Sequence, residues 1–472
     1  MEGFRYHAAG DTIAAISTAQ APAAIGVVRV SGPRAIPVAA RVFASAFGKK
    51  LEDARGYTAL FGHVHDPDGG LIDEAVALVF RAPKSFTGED VVELSCHGGL
   101  YVTRRLLRAV LGAGAAPAGP GEFTRRAFLN GKMGLTEAES VMQIVSARGE
   151  RAARAALSGR GGALERGIRS VREALTAAAA HLDAWADYPE DDVPAVDPKE
   201  LEKTLAAAQA RLSALLARYD SGRALREGVD TAIAGKPNTG KSTLMNRLSG
   251  CDRSIVTPYA GTTRDVVEET VLLGGVPLRL ADTAGLRASG DPVEQAGVGR
   301  ALARVRSARL VLAVFDSSRP LDPDDRALVR ELSSAPAGSA PGGAACIAVV
   351  NKCDLPREIN FEYIKTNFQH TVEISAARGE GLDRLERAVL DVLGAEADDP
   401  SQAALFTERQ REDARRAAES LGEALSALRS GVTLDAVTVS VEDAVSALLE
   451  LTGERATERV VDEVFRRFCV GK

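Results

Sequence analysis

The chain has 472 residues, a length that predicts about three domains rather than one. Hydrophobic residues make up 45% and charged residues 26% of the sequence, as in globular proteins with sizeable cores. The formal net charge is -6, so the chain has no global positive field that would attract nucleic acid. Any RNA contact must therefore come from a local patch or from a partner.

The cysteines are far apart in the sequence and form no CxxC pair. They are Cys96, Cys251, Cys346, Cys353 and Cys469. This pattern does not favour a disulfide framework or a zinc site, and we expect the protein to reside in a reducing compartment. Residues 1–11 lack the basic start and apolar run of a secretion signal, and no run of about 18 apolar residues is present to span a bilayer. We expect a cytoplasmic protein without a membrane segment.

Short apolar runs punctuated by glycine and proline fill the first part of the chain and are typical of strands. The predicted strands are Ile25–Val30, Ala75–Phe80 and Val91–Leu94. An Arg/Leu-rich segment, Tyr101–Leu111, is predicted to be a helix. Together these elements predict a compact α+β domain over residues 1–124.

The pattern becomes helical from residue 125. Thr136 and Glu139 have the spacing of a capping box, ahead of apolar residues that share one helix face. Periodic Ala/Leu/Arg-rich segments continue to Tyr219. The acidic, proline-flanked run 188–194 interrupts them, and we interpret it as a solvated loop.

Strands and helices then alternate from Gly228 to Leu393, which is typical of a parallel α/β sheet. The helical pattern returns after Pro400, with amphipathic segments at 409–428 and 441–468. Helical sequence on both sides predicts that an α/β domain (228–395) is inserted into one discontinuous helical domain (125–227 and 396–472). Residues 333–345, rich in Ser, Ala, Pro and Gly, are predicted to form a flexible surface loop.

A phosphate-binding loop follows the first strand of the α/β region. Thr231–Ala234 leads into the octapeptide 235–242, GKPNTGKS, and a helix predicted at 243–248, which is the GxxxxGK[ST] pattern in its strand–loop–helix context. Lys241 would place its charge on the β and γ phosphates and contribute to catalysis, and Ser242 would bind Mg²⁺. The expected GTP contacts are Asn238, Thr239, Gly240, Lys241, Ser242 and Thr243. The bare pattern alone also fits a simple glycine turn.

Three further motifs follow strands in the order found in guanine-nucleotide-binding domains. Strand 276–281 ends in Asp282, Thr283, Ala284 and Gly285, where Asp282 would orient the magnesium shell and the Gly285 N–H would bind the γ phosphate. Strand 346–350 ends in Asn351, Lys352, Cys353 and Asp354. The Asp354 carboxylate can accept from guanine N1 and N2, a pair of donors that adenine lacks. Backbone groups of Ser375, Ala376 and Ala377 are expected to contact guanine O6.

The residue after the second motif is Leu286, which cannot orient an attacking water as the glutamine of many switch GTPases does. Another group or an added cation must therefore accelerate the hydrolysis. Asn238 and the loop 257–263 offer oxygen ligands for a monovalent cation, and Thr263 is the expected second magnesium ligand. Glu294 is a candidate to position the water, with a surface helix carboxylate as the plain alternative.

With these motifs, the chain resembles the tRNA-modification GTPase family MnmE (also called TrmE) over essentially its whole length. The resemblance rests on IGVVRVSG (25–32), SFTGED (85–90), HGG (97–99), PGEFTRRAFLNGK (120–132) and the terminal FCVGK (468–472). The GTPase motifs are shared by many families, whereas the N-terminal strings and the cysteine tail are far more specific. The family tail is usually CIGK, and here Val470 follows the cysteine.

The resemblance implies a multidomain fold in which a P-loop GTPase domain is inserted into a discontinuous helical domain. An α+β folate-binding and dimerising domain would precede both. It also implies a homodimer, potassium-dependent pairing of the GTPase domains, and a flavoprotein partner, MnmG (GidA), that carries FAD. The pair would install an aminomethyl-type group, commonly carboxymethylaminomethyl, at C5 of wobble uridine 34 in certain tRNAs. The one-carbon unit would come from 5,10-methylene- or 5-formyl-tetrahydrofolate.

The same resemblance assigns roles to single residues. Asn238, Thr257, Tyr259 and Thr262 match the family's potassium site, and Glu294 matches its water-positioning carboxylate. The folate-contact positions are matched by Arg29, Glu89, Arg126 and Lys472. Without the resemblance, the two arginines would be interpreted as members of surface ion pairs. Cys469 is expected to act in the modification chemistry, as nucleophile or as proton donor; a frayed or buried tail cysteine is the alternative.

Two classes of function fit the sequence. The first is an enzyme that uses GTP to drive tRNA modification. The second is a regulatory switch GTPase, for example in ribosome assembly, with flanking interaction modules. The acidic balance and the cysteine tail favour the enzyme.

Overall fold

The computed structural model describes residues 6–8, 10–187, 194–219, 222–223, 228–251, 269–280, 308–333, 339–340, 344–394 and 402–472. The chain forms two compact units, one of Met1–Met142 with Glu442–Lys472 and the other of Gln143–Val441. Within the described ranges, no helix is both long and apolar enough to cross a membrane.

The elements are numbered in chain order. The strands are β1 (Ile13–Ile16), β2 (Ile25–Ser31), β3 (Phe43–Ser45), β4 (Thr58–His65), β5 (Leu71–Phe80), β6 (Val91–His97), β7 (Ala116–Pro117), β8 (Val229–Ala234), β9 (Glu269–Leu273), β10 (Val276–Leu280), β11 (Leu310–Asp316), β12 (Ser339–Ala340), β13 (Ala344–Asn351) and β14 (His370–Glu373). The helices are α1 (Ala35–Val42), α2 (Leu100–Gly112), α3 (Glu122–Leu129), α4 (Leu135–Ser146), α5 (Glu150–Arg160), α6 (Ala163–Asp187), α7 (Pro198–Ala217), α8 (Lys241–Cys251), α9 (Pro323–Ser333), α10 (Phe361–Asn367), α11 (Leu382–Val392), α12 (Glu408–Arg429), α13 (Leu434–Thr452) and α14 (Glu458–Arg466).

The first unit is built on a sheet with the strand order β3-β4-β5-β6-β2-β1-β7. Alternating residues of β2 are buried, because successive side chains of a strand point to opposite faces of the sheet. Val28 and Val30 face a core that also contains Leu94 and Leu106, from β6 and α2. The strands and the helix predicted for this region are confirmed, each with slightly wider bounds.

The second unit contains a sheet with the order β12-β13-β11-β8-β10-β9, and β14 also pairs with β13. Strand β8 is parallel to both β10 and β11, and β13 is parallel to both β11 and β14. Every residue of β11 is buried, as expected for a central parallel strand covered on both faces. The predicted parallel α/β sheet is therefore confirmed, with β9 and β12 as antiparallel additions.

The helical part of the second unit brings distant segments together. Helix α7 packs along α12, where Gln209 Nε2 donates to the Ala418 carbonyl at 3.3 Å. Arg429 Nε contacts Glu202 Oε1 at 2.7 Å near the other end of the pair. Residues before and after the α/β sheet thus share one helical pair, as the interrupted helical pattern predicts.

Some local predictions were wrong. Helix α4 begins at Leu135, so Thr136 lies inside its first turn and is not the N-cap; Glu137 Oε2 instead accepts from the Gly134 N–H at 3.2 Å. The segment predicted at 441–468 is two helices, because Gly453 adopts a φ of 89° and ends α13. Within the predicted loop 333–345, Ser333 ends α9, Ser339–Ala340 form β12, and Ala344 and Ala345 begin β13. The acidic run lies outside the described residues except at its last position, 194.

Candidate functional site

The phosphate loop connects β8 to α8 and depends on two glycines. Gly235 has a φ of 148°, and a Cβ there would lie 2.5 Å from the Val314 carbonyl oxygen of β11. Gly240 has a φ of 95°, and a Cβ there would lie 2.1 Å from Asn351 Nδ2. Neither position accepts a side chain, so the loop stays close to the sheet and its backbone N–H groups remain accessible at the start of a helix.

The polar side chains of the loop fit a phosphate and a magnesium ion. Lys241 Nζ donates to the carbonyls of Gly235 and Lys236, at 2.8 and 2.6 Å, which holds the ammonium group at the loop. Ser242 and Thr243 are exposed in the first turn of α8, where their hydroxyls can reach a ligand. The helix N-terminus adds a partial positive charge to that of Lys241. This donor set suits an anionic phosphate with a hard cation beside it.

Two residues shape the middle of the loop. Asn238 is exposed and has a φ of 66°, a conformation that asparagine tolerates better than most residues. Thr239 is fully buried, and its Oγ1 donates to the Lys236 carbonyl at 2.9 Å. The loop is therefore closed by an internal hydrogen bond, and the Asn238 side chain projects from its exposed surface.

Lys236 fastens the outer side of the loop to the start of α9. Its Nζ pairs with Asp322 and lies 3.8 Å from Asp325 Oδ2 and 3.9 Å from Asp324 Oδ2. Burial raises the pKa of Asp325, although Lys236 opposes the shift. The three aspartates thus bind the ammonium group of Lys236, and the backbone carbonyl of Lys236 accepts from Lys241 Nζ.

Asn351, at the end of β13, joins the phosphate loop to the segment after β14. Its Nδ2 donates to the Thr239 carbonyl at 2.8 Å, and its Oδ1 accepts from the Ala376 N–H at 2.9 Å. The residue is 2% exposed, so both hydrogen bonds are shielded from water. The structure brings together three predicted contacts from three separate motifs.

Lys352 follows Asn351 in a left-handed conformation, with a φ of 66°. Its Nζ contacts Asp316 Oδ2 at 2.6 Å, and its carbonyl accepts from Ser317 Oγ at 3.0 Å. Burial disfavours the ionised form of Asp316, but hydrogen bonds from Lys352 and Ser318 outweigh it and lower the pKa of Asp316. Lys352 is thereby fixed to the end of β11.

Asp354 is the acceptor expected to recognise guanine. Its Oδ1 accepts from Ser375 Oγ at 2.7 Å, and its Oδ2 lies 3.7 Å from Arg378 Nε. The hydrogen bond from Ser375 lowers the pKa of Asp354, so the carboxylate is ionised at neutral pH. This hydrogen bond places the predicted segment beside the carboxylate; Ser375 and Ala376 are buried, and Ala377 is exposed.

Other predicted residues lie outside the described part of the chain. They are Thr257, Tyr259, Thr262, Thr263, Asp282, Thr283, Ala284, Gly285, Leu286 and Glu294. Strand β10 ends at Leu280, two residues before Asp282, and is parallel to β8. The assignments of these residues stay predictions.

Arg247 contacts the segment that is expected to bind guanine, and it was missed by the sequence reasoning. It lies on α8, and its guanidinium donates to the carbonyls of Ala376 and Ala377. An exposed helix arginine has no distinctive sequence pattern. The signal was its place on the helix that follows the phosphate loop.

A second polar cluster lies in the first unit. Arg126 Nη1 contacts both carboxylate oxygens of Glu89 at 3.1 Å and donates to the Asp11 carbonyl at 2.7 Å. Ser31 Oγ donates to Glu89 at 2.7 Å, and Arg126 Nη2 lies 3.4 Å from Glu122 Oε1. Two of the predicted folate contacts, Glu89 and Arg126, are therefore direct partners.

Arg29 lies between two aromatic rings. Its guanidinium carbon is 5.7 Å from the ring centroid of Phe86 and 5.5 Å from that of Phe123, within the range of cation–π attraction. Its Nε donates to Glu93 Oε1 at 2.8 Å. Phe123 also contacts the tail, because its N–H donates to the Lys472 carbonyl at 3.2 Å. Arg29 and Lys472 thus both contact Phe123, one at its ring and the other at its backbone N–H.

The C-terminal tail is docked within the first unit. The Gly121 N–H donates to the Cys469 carbonyl at 3.2 Å, and Val470 forms an isolated bridge with Pro120. Gly471 has a φ of 96°, and a Cβ there would lie 2.2 Å from the Ile16 carbonyl oxygen of β1. Cys469 is half-buried on a backbone held by defined partners. A frayed tail, the alternative at the sequence level, is therefore wrong.

The histidines form no metal site within the described residues, where no group of three or more potential ligands is found. His97 pairs with Asp73, with Nδ1 2.9 Å from Oδ1, at the end of β6. This hydrogen bond raises the pKa of His97. His63 and His65 share a face of β4, with ring centroids 6.4 Å apart.

The parallel sheet, the glycine loop at a helix N-terminus and the Asp354 carboxylate define a guanine-nucleotide-binding protein of the P-loop class. Two family profiles match the chain: one described as MnmE helical domain over residues 135–469, and one described as GTP-binding protein TrmE N-terminus over 12–132. The chain belongs to the MnmE family of tRNA modification GTPases.

Curated relatives match almost the full length of the chain. The tRNA modification GTPase MnmE of Symbiobacterium thermophilum is 44% identical over 464 residues, which cover 98% of this chain and 99% of the relative. The proteins of the same description from Geobacter sulfurreducens and Geobacillus kaustophilus are 43% and 40% identical, with the same two coverages. The resemblance predicted from the motifs is confirmed, and the protein is a GTPase.

Proposed function

We propose that this GTPase, with an FAD-containing partner of the MnmG (GidA) type, modifies tRNA. The pair installs an aminomethyl-type group, commonly carboxymethylaminomethyl, at C5 of wobble uridine 34, using a folate one-carbon unit. The observation that carries this proposal is the docked tail, which holds Cys469 beside a group of side chains here called the N-terminal cluster (Arg29, Phe86, Glu89, Phe123 and Arg126). The same chain also carries a complete phosphate loop. A switch that needs only nucleotide binding has no use for such a tail.

The nucleotide site divides its tasks among the motifs. Lys241 and the N-terminus of α8 bind the β and γ phosphates, and Asp354 accepts from guanine N1 and N2. Ser242 and Thr263 are the proposed protein ligands of Mg²⁺, beside Asp282, which orients the ion's water shell. When bound, Mg²⁺ neutralises charge that develops on the phosphate oxygens. Glu294 positions the attacking water, a task that Leu286 cannot perform.

A potassium ion is the proposed added cation. Its oxygen ligands come from four residues of the phosphate loop and the segment after α8: Asn238, Thr257, Tyr259 and Thr262. The exposed, left-handed Asn238 supports this role, because its side chain is presented at the surface of the loop rather than tied into the sheet. When bound, K⁺ adds positive charge where the phosphate oxygens become more negative.

GTP turnover is therefore expected to be at least about tenfold faster in K⁺ than in Na⁺ at equal ionic strength. This factor corresponds to the stabilisation of the transition state by one well-placed positive charge. Steady-state phosphate release in the two chlorides measures the ratio. The variant Asn238→Ala should lose most of the difference and keep its slow turnover in Na⁺. Equal rates in both salts would remove the cation from the mechanism.

The N-terminal cluster supports a folate site. Reduced folates combine a flat ring with a carboxylate tail, and the cluster combines Phe86 and Phe123 with Arg29, Glu89 and Arg126. Aromatic faces suit the ring, Glu89 can accept from its N–H groups, and cationic groups suit the tail carboxylates. These residues, together with Lys472, are the proposed contacts for 5,10-methylene- or 5-formyl-tetrahydrofolate, which supplies the one-carbon unit when bound.

The remaining assignments extend this scheme to the whole chain. The proposed division is a folate-binding and dimerising domain at 1–124, a helical domain at 125–227 and 396–472, and a GTPase domain at 228–395. The proposed assembly is a cytoplasmic homodimer that joins the flavoprotein partner and tRNA. The shared packing of α7 and α12 supports a helical domain made of two chain segments.

Cys469→Ser is expected to abolish the C5 substituent of wobble uridine while GTP turnover stays within about twofold of wild type, because the tail lies outside the nucleotide motifs. Mass spectrometry of tRNA nucleosides from a deletion strain that carries each variant measures the product. Val470→Ala, a truncation of the exposed neighbour, should restore the substituent. Unchanged nucleosides in the deletion strain itself would leave a GTPase without this chemistry, and the regulatory switch in ribosome assembly would become the better assignment.

A further inference from the structure

We propose that Arg247 is a positioning residue for guanine recognition. By holding the peptide between Ala376 and Ala377, it turns the Ala377 N–H toward the O6 atom of the base. The inference rests on the proposed assignment of Asp354 and the segment 375–377 to the guanine. It adds a side chain from the phosphate-loop helix that none of the nucleotide motifs contains.

The Ala376–Ala377 segment is held from two directions. Arg247 Nε donates to the Ala376 carbonyl at 3.3 Å, and Arg247 Nη2 donates to the Ala377 carbonyl at 2.7 Å. From the sheet, Asn351 Oδ1 accepts from the Ala376 N–H at 2.9 Å. The planar guanidinium holds two successive carbonyls with a fixed spacing, which a flexible ammonium group cannot do.

This arrangement sets the direction of the Ala377 N–H. In a trans peptide the carbonyl of one residue and the N–H of the next point in opposite directions. Because the Ala376 carbonyl points at Arg247, the Ala377 N–H must point away from it. The other amides of the loop are used inside the protein: Ser375 N donates to the Glu380 carbonyl at 3.0 Å, and Arg378 N to Ser375 Oγ at 3.2 Å. Among the described residues, nothing accepts from the Ala377 N–H, which leaves it for a ligand.

The guanidinium lies beside Gly379, which has a φ of 79° and no side chain; a Cβ at that position would be 3.4 Å from the Arg247 Cζ atom. Arg247 is on the same helix as Lys241, about 9 Å further along its axis. One rigid helix therefore carries the lysine for the phosphates at its start and the clamp for the base-binding segment further along.

The test is a comparison of two ligands on the full-length protein. The ligands are GDP and the 5′-diphosphate of 2-aminopurine riboside, which keeps the 2-amino group and lacks both O6 and the N1–H, so that any effect transmitted through O6 is confined to GDP. Arg247→Ala is expected to weaken GDP binding by about fivefold to tenfold, the value of one oriented hydrogen bond, and to weaken the analogue by less than about twofold. Competition against a fluorescent GDP measures both affinities. An equal loss for the two ligands, or no loss for GDP, would overturn the proposal.

Two further variants keep the outcome decisive. Arg247→Lys should keep part of the GDP affinity, since one ammonium group can hold one of the two carbonyls; if Arg247→Ala fails to fold, the lysine variant undergoes the same two-ligand comparison. Arg387→Ala removes a matched exposed helix arginine, whose Nη2 contacts Asp383 at 3.1 Å, and should change neither affinity. Failure of the guanine assignment itself would appear separately, as unchanged nucleotide preference in Asp354→Asn.

Discussion

Replacement of Gly240 by alanine is expected to reduce GTP affinity by about 100-fold or more, through about 3 kcal/mol of combined strain and lost hydrogen bonding. A Cβ at this position would lie 2.1 Å from Asn351 Nδ2, so the amide must move and give up its bond to the Thr239 carbonyl. The φ of 95° adds backbone strain for any residue other than glycine. The phosphate loop and the guanine-binding segment would then lose their shared link, and equilibrium titration with a fluorescent GTP analogue measures the loss.

The matched control for this variant is Gly431→Ala. Gly431 has a φ of 69°, and a Cβ there would meet no atom within 4 Å. The control therefore introduces the backbone strain without the collision. It should lower the melting temperature slightly and leave GTP affinity unchanged. If both variants bound GTP like the wild type, the contact between Gly240 and Asn351 would have no role in nucleotide binding.

Asp354→Asn is expected to reverse the base preference, with GTP bound roughly 100-fold more weakly and xanthosine triphosphate bound more tightly than GTP. The ionised carboxylate is the proposed acceptor for two guanine donors, whereas an asparagine amide would present an N–H₂ toward the C2 oxygen of xanthine. The amide has nearly the same shape, and its oxygen can still accept from Ser375 Oγ, the present partner of Asp354 at 2.7 Å. Competition between the two nucleotides for the purified variant measures the reversal.

Asp383→Asn provides a charge-matched control. This aspartate lies in the first turn of α11 and pairs with Arg387, away from the guanine-binding residues. Its substitution should leave the preference for GTP intact. Retained GTP preference in Asp354→Asn would show that another group recognises the base.

The parts of the fold that followed from sequence are those governed by local rules. The glycine loop could be predicted because Gly235 and Gly240 are required by contacts within a short strand–loop–helix unit. The parallel sheet followed from alternating strands and helices, and the apolar run 310–315 of β11 is buried throughout, as its sequence indicates. Residues at the ends of parallel strands meet at one edge, which is why Asn351 and Ala376 were expected in the same site.

The parts that did not follow depend on tertiary contacts. Thr136 has the sequence position expected of an N-cap, but the helix already begins at Leu135. Glu137 instead accepts from the Gly134 N–H just before the helix. The break at Gly453 goes with a close approach to Leu135, since a Cβ there would lie 2.5 Å from the Leu135 Cβ. Arg247 makes its contacts with carbonyls about 130 residues away in sequence, a separation that no local pattern encodes, and its proposed role depends on them.

The docked tail also has a consequence for how the protein is made. The Phe123 N–H can bond the carbonyl of Lys472 only after the roughly 350 residues between them have been made, which takes about 20–70 s at about 5–20 residues per second. The strands of the nucleotide-binding sheet, by contrast, all lie within residues 229–373 and can pair while the ribosome is still adding α12 and α13. A frameshift just before the codons of residues 469–472 would thus yield a chain that folds its nucleotide-binding sheet but lacks Cys469, a defect invisible to any assay of the nucleotide alone.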